Sequence, residues 1–149
     1  MAEVNTYQAA EIAAGRKLAP ATHNRLRTAY FRTPTTHAIK NGDTMGSGII
    51  LPAGARFVRV RESHGTGAAS STVDVGVRNP TTKVAIVADA IVKALALTTA
   101  GVSDPVTGTK IIGGADYVLP SDGELYATCG GADPTANQQA AFFVEYIAP

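Results

Sequence analysis

Turn punctuation constrains this chain more than any motif in it. In Asn41–Val60, NGDTMGSGIILPAGARFVRV, a polar turn opens the segment, an apolar run ends on Leu51-Pro52-Ala53-Gly54, and a second run starts at once. Proline ends ladder pairing and glycine permits positive φ, so this one segment holds two strands and a corner. The rest of the chain repeats the plan, with short β-prone runs separated by Gly, Pro, Asn and Asp. Such spacing predicts an all-β sandwich or barrel.

The cleanest strand is Thr72–Val77, where Val73, Val75 and Val77 alternate with Thr72, Asp74 and Gly76. Alternation with period two marks one face as core. By the same rule Val58 and Val60 point inward from Arg56–Glu62, with Phe57, Arg59 and Arg61 on the other face. Leu125, Ala127 and Cys129 share a face, as do Phe142, Val144 and Tyr146. Further strands are expected at Thr28–Arg32, Thr35–Lys40, Gly46–Leu51 and Asp116–Leu119. In Lys83–Leu97 the β-branched start favours a strand, whereas Ala88, Ile91 and Leu95 share a helical face, so a strand followed by a short helix or crossover is expected. Gly101–Gly114 reads as a long loop. About eight strands result, enough for two sheets.

Residues 1–26 differ from the remainder. They are Ala-rich, with Tyr7 and Ile12 the only large apolar groups before Leu18, apart from Val4 and the initial Met1. Asn5 and Gln8 have the spacing of a capping box and Gly15 could close a helix, yet so short a helix is marginal alone. If extended, this arm reaches up to roughly 85 Å at about 3.3 Å per residue. The expected organisation is an arm over residues 1–26 and a β-sandwich over residues 27–149.

At 149 residues the chain is one domain's worth and long enough for a core without staples. Charged residues make up 17%, below the typical ~25%, which leaves polar and small apolar surface for partners. Homo-oligomerisation, as a dimer or trimer, is expected on this ground and on the spare arm. Net charge is +1, so there is no overall nucleic-acid signature. Residues 1–75 carry nine Lys/Arg against five Asp/Glu, and residues 76–149 four against seven. The alternatives are charges that mix on one surface and a basic arm facing an acidic neighbour. Residues 1–20 hold Glu3, Glu11, Arg16 and Lys17 and no apolar stretch of signal-peptide kind, and no segment suits a bilayer, so the chain reads as soluble and made in a cytosol.

No reactive constellation emerges. His23, His37 and His64 lie in separate segments without metal-ligand spacing. Asp104, Asp116, Asp122 and Asp133 stand beside Gly, Pro, Ser or Ala without calcium-loop spacing, where Asp serves turns. Gly46-Ser47-Gly48 is too short for a nucleophile elbow, and Cys129 is read as a small buried hydrophobe. No enzyme activity, metal or cofactor is expected. The basic groups carry more interest: Arg16, Lys17, Arg25, Arg27 and Arg32 in and after the arm, and Arg59 and Arg61 on one strand face. They are read either as the solvated side of a sheet or as a grip on acidic groups of a protein partner. With Tyr7 and Ile12 of the arm, residues Arg16, Lys17, Arg25, Arg27, Arg59 and Arg61 form the candidate protein interface. Nucleic acid is disfavoured because few aromatics accompany the basic groups.

The run from Gly42-Asp43-Thr44 through Leu51-Pro52-Ala53-Gly54-Ala55-Arg56-Phe57-Val58, followed by Thr72-Val73-Asp74-Val75-Gly76-Val77, resembles small virion proteins of tailed bacteriophages. Asp122-Gly123-Glu124-Leu125-Tyr126 and Val144-Glu145-Tyr146 extend the likeness, which spans about residues 40–146. The resemblance implies a jelly-roll-like antiparallel β-sandwich on the capsid surface of a virion, made in the host cytoplasm. It further implies a decoration or cement protein sitting across junctions between subunits of the major capsid protein. The competing expectation is a receptor- or glycan-binding sandwich of a phage fibre or tail. That role wants exposed aromatics, and the chain has no Trp.

Overall fold

The computed structural model describes residues 26–111 and 117–149. Eight strands follow in chain order: β1 (Leu26–Arg32), β2 (Thr44–Leu51), β3 (Arg56–His64), β4 (Ser71–Arg78), β5 (Ala85–Ala96), β6 (Gly101–Ser103), β7 (Gly123–Gly131) and β8 (Ala140–Ile147). Among the described residues there is no helix. One sheet has the order β1-β8-β3-β6 and the other β2-β7-β4-β5, and every paired strand is antiparallel. Successive strands switch sheets at every connection except β4–β5. This is the jelly-roll arrangement of two interleaved Greek keys.

The corner at Pro52-Ala53-Gly54 carries the chain from one sheet to the other. Gly54 adopts φ 88°, Ala55 N donates to Pro52 O at 3.1 Å, and Leu119 is tied to Gly54 and Ala55 by two backbone hydrogen bonds. Between the sheets lie Leu51, Val60, Val73, Val75, Val77, Leu125, Ala127, Phe142 and Val144, all buried. Cys129 is buried with them.

Several expected elements differ. Val58 does not point inward. The β3–β8 register shifts between Phe57 and Arg59, so Val58 is the extra residue of a bulge and is 41% exposed, while Phe57 turns into the core. Thr35–Lys40 is not a strand. His37 is held there by two bonds to Asn137, His37 N to Oδ1 and Asn137 N to His37 O, and by its own Nε2 to the Gln138 carbonyl. Tyr117–Leu119 is also irregular, and Asp116 lies outside the described residues. The expected long loop contains β6, whose three residues pair with the end of β3.

The expected helix after Val87 is instead the continuation of β5. Its register with β4 shifts three times, and the largest shift leaves residues 88–91 as a bulge between Val75↔Val92 and Val77↔Val87. Ala90, Ile91 and Val92 are consequently all buried, a run that imitates a helical face. A second irregularity at Ala94, φ 50°, is held by its N–H donating to Asp74 Oδ1. The expected helix within the arm lies outside the described residues.

Candidate protein-binding face

Register sets what the outer face of the β1-β8-β3-β6 sheet presents. Tyr30 of β1 is opposite Phe143 of β8, which is opposite Arg61 of β3, and the neighbouring row is Thr28, Glu145 and Arg59. Their inward neighbours Ala29, Phe31, Val60, Phe142 and Val144 are core, so alternation leaves these rows outside. Tyr30 and Phe143 are 46% and 42% exposed, with ring centroids 4.6 Å apart. An exposed aromatic pair on a sheet face, bordered by charge, has the composition of an interface core with a polar rim.

The border is ordered. Arg59 grips Glu145 with both arms of its guanidinium, Nε to Oε2 and Nη2 to Oε1, each at 2.8 Å. That fork raises the Arg59 pKa and lowers that of Glu145, the hydrogen bonds contributing most. Arg61 faces Asp104 more loosely, at 3.7 Å. Arg59 and Arg61 thus lie outward on one sheet face, each beside a carboxylate of its own chain. Arg27 and Arg32 of β1 have no carboxylate partner among the described residues. Tyr7, Ile12, Arg16, Lys17 and Arg25 lie outside the described residues.

The other sheet holds an ionic cluster that sequence reading missed. Arg78 and Glu124 are opposite each other on β4 and β7, and Arg78 Nε meets Glu124 Oε2 at 2.9 Å. Lys83 Nζ reaches the same oxygen at 2.7 Å, and Gly48 N donates to Oε1 at 3.2 Å. The Arg78 hydrogen bond, reinforced by the others against the cost of burial, holds the Glu124 carboxyl down at about 2. Arg78 also lies over the Tyr126 ring, 5.1 Å from its centroid. A side chain at Gly46 would occupy this space, since a Cβ there would sit 2.2 Å from Arg78 Nη2. The Gly-Ser-Gly run is therefore a cradle for an ion pair. Only strand register, which spacing does not give, brings its members together.

A polar chain centred on the buried Glu62 carboxylate links β3 and β6. Ser103 Oγ donates to Glu62 Oε1, and Glu62 Oε2 lies 2.7 Å from His64 Nδ1. The carboxylate sits between hydroxyl and imidazole, so the imidazole cannot take the serine proton as a general base would. Asp122 and Asp133 accept backbone hydrogen bonds from Ala53 and Asn41, which is turn chemistry. Among the described residues no three His, Cys, Asp or Glu gather as metal ligands.

Among the described residues these features define an eight-stranded jelly roll with an outward aromatic pair as a partner-like surface. Solved structures share the fold. A chain in the capsid of Ralstonia phage GP4 aligns with TM-score 0.64 and 18% identity, covering 84% of this chain and 85% of that one. A chain of the cyanophage Pam1 capsid asymmetric unit aligns with TM-score 0.61 and 18% identity over the whole of both chains. A third, from the acid-stable capsid of Helicobacter pylori bacteriophage KHP30, aligns with TM-score 0.51 and 21% identity over 83% of this chain and 88% of that one. Such mutual coverage means that the matched chains are about as long as this one. No protein-family model and no curated protein sequence matches the chain significantly.

Proposed function

We propose that this chain is a structural, non-enzymatic virion protein of a tailed phage, seated on the outside of the capsid, where it cements or decorates junctions between major capsid subunits. The observation that carries the reading is a fold shared over 84% or more of this chain with chains of similar length in two phage capsids, joined to an exposed aromatic pair that nothing in this chain covers among its described residues. In this reading the sandwich is a rigid spacer. Tyr30 and Phe143 supply the apolar contact, Arg59 and Arg61 supply its charged border, and Arg27, exposed near the start of β1, adds a cation at the sheet's end. Tyr7, Ile12, Arg16, Lys17 and Arg25 of the arm extend the hold, and copies associate with one another.

The mechanism is mechanical. A clip across a seam adds burial and charge pairs that vanish when the seam opens. An interface on the order of 1,600 Å², repeated around a shell, stabilises it even when each contact is weak, because neighbouring contacts raise the effective concentration of the rest.

Sedimentation with expanded heads that lack the protein tests this. The full chain is expected to bind saturably in many copies per head. The double variant Tyr30→Ala, Phe143→Ala is expected to keep its fold and bind at least ~30-fold more weakly, as loss of a central aromatic contact implies. Absence of binding by the full chain would end the capsid reading. The exposed Tyr30–Phe143 pair also supports a second reading, a glycan-binding sandwich, since sugars stack on such rings. Glycan-array binding abolished by the same double variant, without head binding, would select it.

A further inference from the structure

The sandwich is closed along one side and open along the other. Beside β5, Thr109 N and Lys110 N donate to Asp89 O and Ala90 O, both at 2.9 Å, and Lys93 N donates to Thr107 Oγ1 at 3.1 Å. That sheet edge is covered, and β6, the other edge on this side, is only three residues long. On the opposite side β1 and β2 are both edge strands among the described residues, and a groove of about 490 Å³ opens between them. Phe31, Phe142, Met45 and Ile49 line it. Met45 and Ile49 face the interior but remain half-buried, whereas Leu125 and Val75 deeper in the same sheet are fully buried.

The two edges differ. β2 cannot take another strand smoothly, because its pairing breaks between Gly46 and Ile50, Gly48 adopts φ 72°, and Ile49 N bonds back to Ser47 Oγ. β1 keeps an unbroken register with β8 from Leu26 to Arg32 and contains no proline, lysine or bulge. Its two charges stand near its ends, so Thr28–Phe31 between them is a template for strand addition. Those charges, Arg27 and Arg32, lack carboxylate partners among the described residues.

We propose that this groove, with the free edge of β1, seats the N-terminal segment of a second copy of the chain. An extended stretch within residues 1–25 adds to β1 and inserts a large apolar side chain, Tyr7, Ile12 or Leu18, beside Phe31 and Phe142. Glu3 or Glu11 then meets Arg27 or Arg32. Two observations select a second copy over the chain's own arm. The segment joins β1 at Leu26, the end of the strand remote from the groove beside Tyr30–Pro34, so its own arm would have to reverse at once. Residues 18–25, LAPATHNR, hold Pro20 and Asn24 but no Asn-Gly, Asp-Gly or Gly-rich pair of the kind that two-residue hairpin reversals use. Twenty-five residues, extended, reach roughly 80 Å, ample for a neighbour. The inference is independent of the virion reading, since copies exchange arms with or without a shell.

The test places a photo-cross-linking phenylalanine analogue at Ile49 in the full-length chain, with parallel proteins substituted at Ser47 and, as a control, at exposed Val84 just before β5. Light and isotopically heavy copies are mixed in urea and refolded together. After irradiation, mass spectrometry is expected to find residue 1–25 peptides joined to the groove, about half of them of mixed label, and none at Val84. Ser47 reports if the Ile49 protein fails to fold. Same-label arm peptides alone would assign the groove to the chain's own arm, and no arm peptide at either position would leave the segment without this seat. Either result overturns the proposal.

Discussion

Glu124 shows how much one side chain organises. Its carboxylate is nearly buried against Arg78, Lys83 and Gly48, and its pKa is depressed from 4.5 to about 2. A depressed carboxyl contributes stability that is complete above its ordinary value and is lost as pH falls from about 4.5 to about 2. Glu124→Gln leaves Arg78 buried without its anion, so a loss of about 3 kcal/mol is expected at neutral pH. The urea midpoint of this variant should change less than that of the natural chain between about pH 5 and about pH 2.5. An unaltered pH slope would show that the pair is not what acid breaks. Gly46→Ala should push on the same pair through its added Cβ. Gly46→Ala and Glu124→Gln together should therefore cost less than their sum, by about 1 kcal/mol or more in a double-mutant cycle.

At the scale of elements, β4 and β5 explain both what sequence disclosed and what it hid. β4 was legible because its valines alternate with polar or small residues and all three valines are buried. β5 was legible only at its start, because beyond Val87 bulges disrupt period two and bury Ala90, Ile91 and Val92 in succession. The same effect on a smaller scale exchanged Val58 for Phe57 on β3. The outward Arg59 and Arg61 were legible as a shared face. Their carboxylates were not, since Glu145 and Asp104 arrive from distant parts of the chain. Gly76 records the β5 bulge from the other strand. A Cβ there would lie 2.2 Å from Val87 O and 2.3 Å from Ala88 O, which are backbone atoms that cannot swing aside. Gly76→Ala is expected to destabilise by about 3 kcal/mol, within the range of overpacked cores, measured by urea unfolding. A loss below about 0.5 kcal/mol would mean that the bulge yields freely.

For the whole molecule, topology makes β8 the keystone. The last strand lies between β1 and β3, so the end of the chain completes the sheet that its first described strand begins. Phe142 and Val144, both fully buried, bring core volume with it, and Phe142 stacks on Phe31 at 5.2 Å. Pairings this remote in sequence require loop closure before they gain contacts, which places folding in the ms–s range of β-sandwiches. Every sheet contact of β1 among the described residues runs through β8, and both described sheets are built from Leu26 onward. The two ends should therefore respond differently to truncation. A chain starting at Leu26 is expected to unfold cooperatively in urea with β-type circular dichroism, and, where arms are exchanged, as a monomer. A chain ending at Gln139 is expected to show no cooperative transition at all, because β1 and β3 would lose their shared partner and the core two of its fully buried side chains. Cooperative unfolding of the chain ending at Gln139 would mean that the β2-β7-β4-β5 sheet folds by itself, and the keystone role of β8 would fall.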